Sequence, residues 1–157
     1  MGGCKCAESK PIEPPPKVPD VVDAQRQADL DALPKAGGSL PDQLAAEAAA
    51  RPAGTPTLEK VIEVSGVPFG APRQLWGVKQ LAIYCASADS ADGMIVSVCE
   101  YPSEAQAGRG EKEANIIQSK LPLHQSRVHK KSVLHVVPRS DTPAESVKKV
   151  IDAFEAQ

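Results

Sequence analysis

Four cysteines, three histidines and one basic strip are the side chains here whose type and spacing invite chemistry. Cys4 and Cys6 form a C-x-C pair. Two thiolates are half of a soft-metal site, and no further ligand follows close behind. No C-x-x-C-H occurs, so covalent haem is not indicated. Cys85 and Cys99 fall in two apolar runs that read as the arms of a hairpin. A register that sets residue 85 opposite residue 99 puts both on one sheet face and allows a disulfide. Two small buried hydrophobes, or a metal site, fit the same letters.

His129 and His135 share parity in the run Arg127–Val137. As one strand they face the same way, about 20 Å apart, too far for one metal ion. His124 falls in a loop. No metal site and no cofactor is expected. Between Ala114 and Ser140 there is no Asp or Glu, while Lys120, Arg127, Lys130, Lys131 and Arg139 all occur. Such a strip suits an anion: lipid headgroups, lipopolysaccharide or another envelope polymer. It also suits an exposed edge strand guarded by lysines. Nucleic acid is not expected, because no aromatic residues are interleaved there and the formal net charge is −2. The chain lacks G-x-S-x-G and H-E-x-x-H. Ala107-Gly108-Arg109-Gly110 lacks the Lys-Ser/Thr of a phosphate loop. The reading is therefore not an enzyme.

The elements that must position these side chains divide near residue 70. Aromatics make up only 3% of the 157 residues, so there is little large side-chain area for a wide core. Residues 1–70 read as a proline- and alanine-rich tether. Pro11, Pro14, Pro15, Pro16 and Pro19 favour an extended polyproline II spacer. Two short helical stretches, Val21–Leu33 and Asp42–Arg51, are too short to be stable alone. Thr57–Val64 is apolar enough to dock on the C-terminal half of the chain or to supply a missing strand.

Residues 71–157 read as a small α+β domain. Val78–Ala86 and Met94–Tyr101 are strands, separated by the turn-rich SADSADG. Ser103 with Gln106 opens a helix that runs to about Leu121. Gly108 and Gly110 each weaken its middle by about 1 kcal/mol relative to Ala. Arg127–Val137 is a third strand. Thr142-Pro143-Ala144-Glu145 starts a last helix, with Val147, Val150, Ile151 and Phe154 on one apolar face. The expected order is β-β-α-β-α, a small antiparallel sheet with two helices on one face.

The first four residues, Met1-Gly2-Gly3-Cys4, resemble a bacterial lipoprotein lipobox cut at its first position. A lipobox is an aliphatic residue, a small residue, Gly or Ala, and then Cys. The charged and apolar segments of a signal peptide do not precede Cys4 in this sequence. The resemblance implies that Cys4 receives the lipid. It implies too that Lys5, which is not an Asp retention signal, sends the protein to the outer membrane. The expected function is a membrane-anchored envelope lipoprotein with a non-catalytic binding or structural domain. Its partners would be the membrane and an envelope protein or anionic polymer. Two alternatives stay open. One is a periplasmic metal- or haem-handling protein. The other is a eukaryotic-type adaptor, myristoylated at Gly2 and palmitoylated at Cys4 and Cys6.

Overall fold

The computed structural model describes residues 21–118 and 120–157. Cys4, Cys6 and the Pro11–Pro19 run lie outside the described residues. Three helices come first: α1 (Val21–Asp31), α2 (Leu40–Ala49) and α3 (Leu58–Ser65). A short strand β1 (Arg73–Leu75) and a 3₁₀ turn (Gly77–Gln80) lead into β2 (Tyr84–Asp89) and β3 (Ile95–Glu100). Then come α4 (Glu104–Gln118), β4 (Gln125–His129), β5 (Ser132–Val137) and α5 (Ala144–Glu155). The protein is α+β. Among the described residues the strands form one antiparallel sheet in the order β1-β2-β3-β5-β4.

Alternation along the strands gives the sheet two apolar faces. Tyr84, Ala86 and Ala88 of β2, Val96 and Val98 of β3, and Leu134 and Val136 of β5 share one core cluster. The same cluster holds Leu58 and Val61 of α3 and Val147, Val150 and Phe154 of α5. Cys85, Cys99 and Val133, with the opposite parity, form a second cluster with Ala82, Tyr101 and Ala107 of α4. The helices α4 and α5 therefore lie on opposite faces, not on one. The reason is in their lining. α5 offers branched and aromatic side chains, whereas α4 offers Ala107, Gly110 and Ala114, all buried. Gly110 lies under the Tyr101 ring, where a Cβ would stand 2.4 Å from ring atoms. Only a small-residue stripe lets this helix approach the disulfide face so closely.

Three further differences from the sequence reading have local causes. Arg127–Val137 is not one strand but two. Lys130 takes a left-handed φ of 52° and reverses the chain, so β4 and β5 pair as a hairpin. Thr142 does not cap α5. Its hydroxyl accepts from the Arg139 N–H at 2.9 Å and donates to the Asp92 carbonyl at 3.1 Å, and Pro143 stands at the N-cap instead. Residue 70 is also not the edge of the packed body. Leu33, Leu58, Val61 and Val67 are buried in the main core. Glu47 of α2 is fully buried and accepts the Gly77 N–H at 2.9 Å. Pro34, Pro52 and Pro56 fall between the helices rather than inside them, and Pro68 falls between α3 and β1. Each helix is too short to stand alone, but burying one face in a shared core stabilises it.

Candidate functional site

An apolar groove of about 470 Å³ lies among the described residues. One wall is the C-terminal half of α1 with the loop after it, and the other is Trp76 with Val78 of the 3₁₀ turn. The loop is held by side chains from the start of α2. Gln43 accepts the Ala36 N–H at 2.9 Å and donates to the Pro34 carbonyl at 2.8 Å. Asp42 accepts from the N–H and the hydroxyl of Ser39 at 3.0 and 2.8 Å, and these bonds hold its carboxyl below the usual range. With the loop fixed in this way, Leu40 stays 53% exposed and Trp76 41% exposed. Lys79 Nζ sits 4.9 Å from the Trp76 ring centroid, within cation–π range. A half-exposed indole in an apolar trough binds by stacking and area burial, not by bond-making chemistry.

A second cluster lies under α4. His124 Nε2 and His135 Nδ1 are 3.2 Å apart, and their rings stack at 5.5 Å between centroids. His135 is buried, and that burial pushes its imidazole down to about 4, with His124 adding to the effect. Burial likewise lowers His124. Above it the Ser126 hydroxyl donates to Glu111 of α4 at 2.6 Å. The sequence reading missed this pair because it treated 127–137 as one strand. The hairpin register Ser126↔His135 is what brings position 124 beside 135. The same turn sends His129 to the opposite face, edge-on to Phe154 at 6.1 Å. Among the described residues, no three His, Cys, Asp or Glu side chains are placed to hold a metal ion.

Cys85 and Cys99 are direct cross-strand partners, with Cα atoms 4.1 Å apart, and are joined by a disulfide. Both are buried at the centre of the α4 face.

The basic strip does not come together as one patch. Arg127 pairs with Glu155 at 3.6 Å, and Lys130 Nζ donates to the Gln157 carbonyl, so both are committed near the C-terminal end of α5. Lys131 precedes β5, and its carbonyl accepts the Tyr101 N–H at 2.8 Å. Arg139 lies just past β5 at its other end, packed over Gly93. Extended chain between residues 131 and 139 spans about 26 Å. Lys120 sits in the α4–β4 connection. The hairpin that splits the predicted strand also splits the strip. What remains is basic side chains along and beside β4, the edge strand.

Comparison with protein-family models, curated proteins and solved structures finds no match in any of the three. No helix among the described residues is long and apolar enough to cross a membrane.

Proposed function

We propose that this chain is a lipid-anchored protein of the bacterial cell envelope. It is held through Cys4, at the outer membrane, and presents a non-catalytic binding domain. The observation that carries the reading is the Cys85–Cys99 disulfide at the centre of the sheet. Disulfides persist in oxidising compartments and are rare in the reducing cytosol, so this bond favours an exported chain. One feature of the sequence agrees with export: Gly2-Gly3-Cys4 matches the end of a lipobox.

The test is metabolic labelling with an acyl probe in a bacterial host, with a complete signal segment placed before Gly2. The protein should take up label and sediment with membranes. Cys4→Ala should lose the label and move to the soluble fraction. Membrane association that is unchanged in Cys4→Ala would refute the anchor.

A further inference from the structure

Immediately before α1 the chain reads Pro11-Ile12-Glu13-Pro14-Pro15-Pro16-Lys17-Val18-Pro19. We propose that the Trp76 groove is the docking site for this segment of its own chain, doubled back along α1. The inference does not depend on the lipid anchor. Its first support is chemical. Proline-rich segments are preordered as polyproline II and lose little entropy on binding, and they dock in aromatic-lined grooves. This groove supplies Trp76, Leu33, Pro34, Leu40 and Val78, and Trp76 and Leu40 retain large exposed areas for a ligand to cover.

The second support is reach. The α1 wall of the groove is Gln27, Leu30 and Asp31, on the helix that starts at Val21. At 1.5 Å per residue this wall stands about 9–15 Å along the helix from Val21. Polyproline II advances about 3.1 Å per residue, so a chain reversing at Val21 brings Pro16 to Pro14 about 15–22 Å back along α1. The three prolines thus begin where this wall ends, level with Leu33 and Pro34, which continue the groove after α1. A tether this short also gives an effective concentration of the order of millimolar, so a modest groove is enough.

Trp76 is the only tryptophan in the chain, so intrinsic fluorescence reports on the groove alone. The experiment uses the full chain and the triple substitution Pro14→Gly, Pro15→Gly and Pro16→Gly, which lies outside the described fold. If the segment is docked, the variant's emission shifts to longer wavelength and acrylamide quenches it more strongly. Leu40→Ser changes an exposed groove residue and should give the same shift. Combining it with the triple substitution should add little, because both remove one contact. Emission unchanged by the triple substitution overturns the proposal. So does a wild-type signal that varies with protein concentration, since that would place a second copy in the groove.

Discussion

Arg51 holds two carboxylates at once. Its Nε and Nη2 donate to Glu100, and its Nη1 and Nη2 donate to Glu59 at 2.9 Å. Its guanidinium also stacks over Tyr84, 4.1 Å from the ring centroid. The two acids respond in opposite directions. Glu59 is half-exposed, and the Arg51 bond holds it below the usual range. Glu100 is 1% exposed, and burial raises it despite the same arginine. Removing the cation strands a buried carboxylate, so Arg51→Ala should cost about 3–5 kcal/mol at pH 7. The sign of the pH dependence comes from the two shifts. A carboxyl raised in the folded state contributes stability below its unfolded value of 4.5 and loses it as pH rises through the folded one. A lowered carboxyl such as Glu59 contributes above 4.5 and loses that contribution as pH falls, and it does so only while Arg51 is present. The Glu100 effect shrinks the gap between variant and wild type on acidification from pH 7 toward 4.5, whereas the Glu59 contribution is lost mainly below 4.5. Thermal melts at pH 7 and pH 5 measure that gap, and an equal gap at both would show that Glu100 is not carrying the cost.

At the scale of elements, α4 separates propensity from packing. Gly108 and Gly110 carry the same intrinsic penalty in a helix, about 1 kcal/mol relative to Ala. Nothing lies within 4 Å of a Cβ at Gly108, whereas one at Gly110 meets the Tyr101 ring at 2.4 Å. Gly108→Ala should therefore stabilise by about 1 kcal/mol. Gly110→Ala should destabilise, because overpacking of about 1–3 kcal/mol outweighs the gain in propensity. Urea titration of both variants checks the pair, and the same sign for both would mean that α4 does not rest on Tyr101.

Much at this scale was legible. The Cys85↔Cys99 register comes from two alternating runs around a turn-rich break. The Ser103 cap is in place, its hydroxyl accepting the Gln106 N–H at 3.2 Å. The apolar face of α5 is buried through Val147, Val150 and Phe154. The β4–β5 turn was not legible, because Lys130-Lys131 contains no Gly, Asn or Pro to mark a reversal. The histidine pair and the division of the basic strip went unseen with it. Strand β1 is three residues long, too short for alternation to show. The groove was hidden as well, because it joins α1 and Trp76, which are about 45 residues apart and carry no shared motif.

Over the whole molecule, the N-terminal helices are structural. Leu58 is 1% exposed and Val61 is fully buried, and each such side chain contributes about 1.5–3 kcal/mol of burial. Around them Ser132 Oγ donates to the Pro56 carbonyl at 2.7 Å, and the Thr57 N–H donates to Gln157 at 3.1 Å. A domain of this size has about 5–15 kcal/mol in total. A fragment starting at Pro72 loses α3 and should show no cooperative thermal transition, whereas one starting at Val21 should keep it. Matching melts for the two fragments would mean that α3 only rests on the surface. High proline content suggested otherwise because composition alone does not distinguish prolines that separate packed helices from prolines that keep a chain extended.

The pairing of α3 with α5 also sets a schedule. Strands β2 and β3 are joined by a short turn, and so are β4 and β5, so each hairpin can close soon after its second arm is available. The apolar face of α3 has no such local partner. Its cover is α5, about 80 residues further on, which at about 5–20 residues per second means about 4–16 s of synthesis. Throughout that interval Leu58 and Val61 are without Val150 and Phe154, the main core is open on one side, and the nascent chain offers a sticky surface to any holding factor. Completion of the fold is thus tied to the arrival of its last helix.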